Sequence, residues 1–407
     1  RVWDTLIHNH LSKKNICIPP REEHSKETKY EGAYVKEPIL GGHDWIVSFD
    51  INSLYPHIII QYNISPEKIL GESGQGVNVN KMIDMKVPLN YLKHEGACLT
   101  PNGAKFRNDS QGFLPEMMEK MYNDRVVFKQ RMLKAKAEYQ KTPTKELARE
   151  IARCHNIQWS KKIALNSAYG AVGNQYFRYY DVRQASGITT AGQFIIRFIE
   201  SKVNEYLHTI LQTHDKIDYI VASDTDSIYV TLDKLVEKTC KGKTNDQICN
   251  FIDKVVSSRV EPFLDKCFGE LSDYTNAFKN CMVMKREVIA DKGIWVAKKR
   301  YMLNVLDEEG VRLSEPKLKL MGIEAVKSST PQVCRGRIKE AIKIIMSKEQ
   351  SDLHKFIADF KKEFLELPAE AISFPRSCNN IKKYRDHNSV FIKGTPINVK
   401  GALIYNH

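Results

Sequence analysis

Residues 219–230 read YIVASDTDSIYV, with Asp224 and Asp226 separated by a single threonine between two apolar, β-branched runs. Two such runs around a short polar stretch predict a β-hairpin with its turn, Ser223 to Ser227, exposed. Carboxylates that close repel one another unless a cation or a proton lies between them. Alone, an Asp-x-Asp turn is ordinary, because Asp favours turns for its own backbone hydrogen bonding. A third acid changes the balance. Trp45 to Phe49 (WIVSF) reads as a buried strand running directly into Asp50. Three acids on strand ends suffice to hold two divalent cations ~3.5–4 Å apart for in-line phosphoryl displacement. Hard cations with oxygen ligands point to magnesium, which keeps waters and takes substrate phosphates as ligands. Asp50 could equally cap the helix that follows it, and the backbone amides of Ser53, Leu54 and Tyr55 could hold a triphosphate at that helix start.

Cations stand where such an anion needs them. Arg125 and Lys129 are spaced i, i+4 in one helical stretch, while Lys162, Asn166 and Tyr169 are spaced i, i+4, i+7 in the next. Each set shares one helix face. A basic face is often only a solvated one, but two of them on paired helices suit a triphosphate in a cleft. A further cluster, Lys298-Lys299-Arg300-Tyr301, reads as part of a strand, where it suits a nucleic-acid backbone running past the chemistry.

The elements that must carry these residues follow from pattern. A short helix over 2–11 leads into a polar, basic linker with Pro19 and Pro20, and then Tyr30 to Ala33. Proline is tolerated in a helix's first turn, so Pro56 and the apolar run from His57 to Ile60 predict strand, acidic turn, helix N-terminus. Residues 71–113 are rich in Gly and Asn and read mostly as loop. Glu116 to about Lys141 is helical, Pro143 breaks it, and Thr144 caps a second helix running to about Ser167. Two helices joined by a tight turn make an antiparallel hairpin. Further helices are predicted over 188–211 and about 246–271, strands over 281–313 with a turn at 307–310, and a helical stretch over 327–366 that begins on the Thr330 cap and Pro331.

With 407 residues the chain has length for two or three domains. Hydrophobic residues make up 42%, as in an ordinary globular protein. No apolar run is long enough to span a bilayer and no signal-peptide pattern opens the sequence, which predicts a soluble, intracellular protein without a membrane partner. Sixty-two Lys and Arg against 49 Asp and Glu, a net charge of +13, favour polyanionic partners. Nine cysteines with no Cys-x-x-Cys spacing argue for reduced thiols rather than a disulfide framework or a zinc site. The chain opens on Arg1 rather than Met, as a processed product or one piece of a longer polypeptide would.

Three ordered segments, DINSLYP (50–56), KIALNSAYG (162–170) and DTD (224–226), resemble motifs A, B and C of family B DNA polymerases. The surrounding text (YEGAYVKEP, NQYFRYYD, KKRYMLNV, EPKLKLMGIE, KSSTP) is similar to that of the replicative polymerases of T-even-type bacteriophages, nearly end to end. The resemblance implies an α+β fold with right-hand architecture. Residues 1–43 would then lead in from an N-terminal exonuclease region, 44–113 and 169–326 would form a β-sheet palm, 114–168 helical-hairpin fingers, and 327–407 an incomplete helical thumb. It also implies template-directed DNA synthesis on two divalent cations, with dNTP and primer-template DNA as partners. Carried over position by position, Asp50, Ile51, Asp224, Asp226 and Glu287 are the metal ligands, and Lys162 joins the acids as catalytic. Ser53, Leu54, Tyr55, Arg125, Lys129, Lys162, Asn166 and Tyr169 bind the nucleotide. Tyr55 is similar to the steric gate that leaves no room for a ribose 2′-OH. Tyr30, Gly32, Lys298, Lys299, Arg300 and Tyr301 contact DNA.

The chain departs from the family pattern in particular places. Ser223 stands where motif C usually has glycine, and Lys285-Arg286-Glu287 stands where phage relatives carry Asp-Arg-Glu. On this resemblance the fingers would be shorter, none of the family's exonuclease motifs is found within 1–407, and the thumb would stop before the tail that engages a sliding clamp. These departures motivate a rival reading, a catalytically incomplete DNA-binding piece of a split polymerase that needs a separate exonuclease or thumb polypeptide. Binding without extension until a partner is added would favour it. A two-metal nuclease is a second rival, marked by DNA degradation independent of dNTP. A phage source would place the protein in the host cytoplasm.

Overall fold

In the computed structural model of the chain, which describes residues 2–22, 29–74, 76–214, 217–386 and 388–407, the first long strand is β1 (Gly41–Ile51), and it carries Asp50 near its end. Part of the linker expected within 1–43, residues 23–28, lies outside the described residues. Ahead of β1, helix α1 (Val2–Lys13) buries Trp3, Ile7 and Leu11. The Trp3 indole N–H donates to Ala164 O and Ser167 Oγ, both at 3.1 Å.

Mixed helix and sheet run through the whole chain. A six-stranded sheet has the order β5-β6-β1-β7-β8-β9, formed by β5 (Ile220–Asp224), β6 (Ser227–Thr231), β1, β7 (Met284–Ala297), β8 (Arg300–Glu308) and β9 (Val311–Met321). β6 pairs antiparallel with both β5 and β1, placing Asp224 and Asp50 each opposite Ser227. The 219–230 hairpin thus forms, but its turn is narrower and more covered than the pattern predicts. Ser223 and Ser227 lie inside the ladder and are buried, and only Thr225 and Asp226 remain between the strands. The covering segment is 34–39: Thr225 N donates to Tyr34 O, Lys36 N to Ser223 O and Ile39 N to Val221 O.

Helix α2 (Leu54–Gln61) follows β1, with Ser53 as its N-cap residue in the left-handed region at φ 50°. The 71–113 stretch is loop over more than half its length, as expected, but short elements interrupt it: β2 (Ile69–Glu72), α3 (Val79–Ile83), α4 (Tyr91–Glu95), β3 (Ala97–Leu99) and β4 (Ala104–Arg107), with a three-stranded sheet of order β2-β4-β3. Strands of three or four residues carry too few alternations to show periodicity; tertiary burial of Ala97, Cys98, Leu99, Ala104 and Phe106 selects them.

α5 (Phe113–Lys141) and α6 (Lys145–Val172) form the predicted hairpin. The Thr144 hydroxyl accepts from Leu147 N, as a cap should. Ion pairs Lys161–Asp124 at 2.9 Å and Arg131–Glu150 at 2.8 Å fix the helices antiparallel, since the two pairings run in opposite chain order. α7 (Val182–Leu211) begins six residues earlier than the apolar stripe suggests, because Asp181 caps it by accepting from Arg183 N. After α8 (Asp233–Thr239) comes the helix expected over 246–271. It is α9 (Asn245–Val255) and α10 (Glu261–Tyr274), joined by a π turn at Val256–Val260. Residues eight apart on an ideal α-helix sit about 80° off one face. The wider π turn rotates less per residue, so Asp253 and Glu261 both reach Arg286 of β7.

The chain divides into two compact units. One holds residues 2–39, 43–291 and 306–313; the other holds 40–42, 292–305 and 314–407, so β7 to β9 pass from one into the other. The first unit's core runs from Trp3 through Ile58, Phe106, Phe194 and Phe268. The second has a small core of Met302, Ile323, Ala325, Ile342 and Met346. Its helical stretch is α11 (Gln332–Ser347) and α12 (Gln350–Glu366), broken at Lys348 and Glu349. Pro331 itself, not Thr330, occupies the N-cap position. Beyond them lie α13 (Ala369–Ile372), α14 (Ile381–Tyr384), the pair β10 (Arg385–Asp386) and β11 (Val390–Phe391), and α15 (Ile397–Tyr405). Among the described residues, no helix is long and apolar enough to cross a membrane.

Candidate active site

One cleft of about 810 Å³ in the first unit gathers most of the predicted residues. Asp50, Asp226 and Glu287 line it together with Arg125, Lys129, Lys162 and Asn166, and Ser53, Leu54, Tyr55 and Tyr169 complete the predicted set. The sheet supplies the acids. Ile51 N donates to Asp226 O at 2.8 Å, which ties the end of β1 to the β5–β6 turn and sets Asp50 beside Asp226. Glu287, on β7, accepts from the buried Ser48 hydroxyl of β1 at 3.4 Å. The helix hairpin supplies the cations, with Arg125 and Lys129 from α5 and Lys162 and Asn166 from α6.

Asp224 does not line the cleft. Its carboxylate accepts from Thr225 Oγ1 and its carbonyl from Asp226 N at 2.7 Å, so it shapes the turn that presents Asp226. Ile51 is fully buried and its side chain stays in the core. Asp50 is not the cap of α2: it lies within β1, and Ser53 takes the N-cap position. The Ser53 hydroxyl accepts from Arg125 Nη1 at 3.2 Å, so the cap residue links the helix start to the basic face of α5.

Electrostatics mark Asp226. Burial, then the neighbouring Asp224 and Glu287, push its carboxyl up to about 6, against the opposing pull of a backbone amide and Lys162. A carboxyl destabilised by other carboxyls is relieved by a cation. Among the described residues, no three His, Cys, Asp or Glu groups converge into a cage made of protein ligands alone. Asp50 and Asp226 still fit magnesium, which is held by one or two carboxylates plus substrate phosphates.

Tyr55 and Tyr169 form the aromatic wall, with ring centroids 4.8 Å apart and planes inclined at 50°. Burial, then Asp226, pushes the Tyr55 phenol up to about 12, so it stays protonated at neutral pH. Behind it α7 comes close at Gly192, where a Cβ would stand 3.4 Å from the Tyr55 ring. Tyr30 OH meets Tyr169 OH at 3.4 Å, and Gln193 Nε2 donates to Gly32 O at 2.7 Å. The predicted DNA-contacting segment is thereby fastened to α6 and α7.

Two further residues line the cleft, Glu309, which no motif announces, and Lys285, which the departure at 285–287 does. Glu309 sits at φ 51° in the β8–β9 turn and donates its N–H to Glu287 O. The sequence shows it only as part of an acidic turn, since its neighbour Glu287 is distant in the chain. Lys285 also lines the cleft, and its ammonium pairs with Glu261 Oε2 at 2.8 Å. Next to it Arg286 is buried, donating to Asp307 and Asp253.

The Lys298–Tyr301 cluster belongs to the second unit and departs from its predicted strand. Lys298 and Lys299 form the two-residue turn between β7 and β8, with Lys299 at φ 59°. Gly322 abuts the Lys299 carbonyl so closely that a Cβ there would overlap it. Arg300 Nη2 donates to both carboxylate oxygens of Glu324 at 2.7 Å, and Tyr301 is buried against Trp295 with centroids 5.4 Å apart. Tyr301 is therefore a packing residue of this unit, and the two lysines are its outward cations.

The model of the family described as DNA polymerase family B matches residues 1–377. A DNA-directed DNA polymerase of Escherichia phage RB69 is 36% identical over an alignment that covers 100% of this chain and 50% of the relative. One of Enterobacteria phage T4 is 33% identical with the same coverage. A DNA polymerase of Pyrococcus glycovorans is 26% identical over 80% of this chain and 35% of its own length. The chain thus spans about half the length of the phage relatives it matches. On the extent of the family match and the identity to these relatives, the chain belongs to DNA polymerase family B.

Proposed function

We propose that the chain is a polymerase core that adds dNMPs from dNTPs to a primer 3′-OH under the direction of a template. The observation that carries this reading is the meeting, in one cleft, of Asp50 and Asp226 from the sheet with Arg125, Lys129, Lys162 and Asn166 from the helix hairpin. In this reading 44–113 and 169–326 act as palm, 114–168 as fingers and 327–407 as part of a thumb, with 1–43 leading in from a preceding exonuclease region. Asp50 and Asp226 hold divalent cations, best suited to magnesium, with Glu287 nearby and Asp224 supporting the turn. Bound there, the cations supply Lewis-acid activation of the attacking hydroxyl and neutralise charge on the leaving pyrophosphate.

The chain's own groups do the rest. Arg125, Lys129 and Lys162 balance the triphosphate and Asn166 orients it. Tyr55 fills the space a 2′-OH would need, with Tyr169 against the nascent base pair. Tyr30, Gly32, Lys298 and Lys299 follow the DNA backbone. Purified chain with primer-template, dNTPs and magnesium should extend the primer, and Asp226→Ala should not. Extension by the alanine variant would sink the metal assignment.

Lys285 in the cleft, a cation among the acids, favours a second reading in which extension requires an added polypeptide. Primer-template binding without extension, restored by such a partner, would decide for it. A sliding clamp is a further candidate partner.

A further inference from the structure

Ser223 immediately precedes the acidic turn, and strand alternation sends its side chain to the face of β5 opposite Asp224. It is 2% exposed, and Glu200 of α7, which packs on β5, is 8% exposed and among its neighbours. Ser223 Oγ and Glu200 Oε1 are both buried, and neither makes a hydrogen bond, to the other or to a third group. The Ser223 hydroxyl is nonetheless near enough to hold down the proton affinity of the Glu200 carboxyl, which burial raises.

The cations of this region are engaged with other groups. Lys36 Nζ pairs with Asp218 Oδ2 at 2.5 Å. Asp218 Oδ1 in turn accepts from Asn204 and Ile220 N. Arg197 donates to Asn80 and lies 5.4 Å over the Tyr34 ring. A buried carboxyl and a buried hydroxyl side by side cost stability unless they satisfy one another.

We propose that Glu200 and Ser223 are a positioning pair that props the acidic turn from beneath. The α7 carboxyl engages Ser223 Oγ and holds the end of β5 at the height at which Asp226 faces the cleft. The backbone at Ser223 is held at the same time by Lys36 N on its carbonyl, so the pair and the 34–39 segment fix one residue from two sides. The inference rests on the proposed metal-binding role of Asp226 and deepens it.

The test measures Mn2+ binding to the full chain by electron paramagnetic resonance, in Ser223→Ala, Glu200→Ala, the double variant and Glu200→Gln. Each single alanine variant should weaken the Mn2+ site that Asp226→Ala removes by about five-fold, the worth of one hydrogen bond. The double variant should be no weaker than the weaker single. Glu200→Gln, whose amide can still pair with Ser223, should stay within about two-fold. Ser223→Ala removes one oxygen, and its affinity decides the matter if Glu200→Ala does not fold. Unchanged affinity in folded Ser223→Ala, or additive losses in the double variant, would overturn the pair. A wild-type chain with no Asp226-dependent Mn2+ site would overturn it together with the metal reading. Normal Mn2+ binding without primer extension would count against the proposed polymerase activity alone, leaving the affinity series to judge the pair.

Discussion

Asp307→Ala should loosen the acidic wall of the cleft, although Asp307 itself does not line it. Asp307 is buried at 4% side-chain exposure, and Arg286 at 6%. Arg286 Nη1 donates to Asp307 Oδ1 at 2.5 Å and Nη2 to Asp253 Oδ1 at 2.7 Å. Asp307 also accepts from Gly310 N at 3.1 Å, which shapes the turn carrying Glu309. Removing one partner of a buried ion pair costs about 3–5 kcal/mol, because the other charge remains in low dielectric. Asp253 survives as a partner but is half exposed, so the loss belongs at the lower end, about 3 kcal/mol. That is about two orders of magnitude in an opening equilibrium. Native-state hydrogen exchange at the amides of 285–288 and 306–310 reads that opening directly. The double variant Arg286→Met/Asp307→Leu should recover most of the protection, since replacing both charges with apolar groups of similar volume is often neutral. A protection loss below ten-fold in Asp307→Ala, or a double variant as weak as the single, would refute this reasoning.

Tyr55→Ala removes the ring that stands against Tyr169 and should relax discrimination against ribonucleotides by about 100-fold or more, the scale on which a filled pocket rejects an added group; incorporation ratios measure it, and an unchanged ratio would refute the gate. Lys285→Ala should change stability by about 1 kcal/mol at most, since the Glu261 pair is half exposed. Its divalent half-saturation in primer extension should stay within about two-fold, because the ammonium is already engaged; a ten-fold tightening would mean that Lys285 opposes the metals directly. Glu200→Gln tests the sign of a titration. Burial raises the Glu200 carboxyl, so between the ordinary glutamate range and its raised value the folded chain holds more protons than the unfolded one. That contribution is present at low pH and lost as pH rises, with Ser223, Lys36, Asp218, Arg197 and Tyr34 the groups facing it. Thermal melts should therefore show the Gln variant gaining on wild type from pH 5 to pH 8, and parallel profiles would contradict it.

What the residues declare on their own is local. The run into Asp50, the DTD turn between two β-branched runs, and the i, i+4 cations on two helices are periodic or contiguous signals, and they appear in the structure as β1, the β5–β6 hairpin and α5–α6. The Thr144 cap is equally local. Short strands such as Ala97–Leu99 were not legible, because three residues carry no period and only burial selects them. The Lys298–Lys299 turn reads as strand in the sequence for the converse reason: a two-residue turn between β-rich runs carries no Gly, Asn or Asp to mark it.

By itself, the sequence determined which acids and cations are present, which helix faces they share and which family the chain resembles. The tertiary structure alone decided that Asp226 faces the cleft while Asp224 shapes the turn. It also brought Glu309 and Lys285 to the same cleft, and set Glu200 of α7 beneath Ser223. Neighbours along a chain follow from backbone geometry, whereas these juxtapositions depend on strand register, a π turn and the packing of α7 against the sheet. No local pattern encodes those.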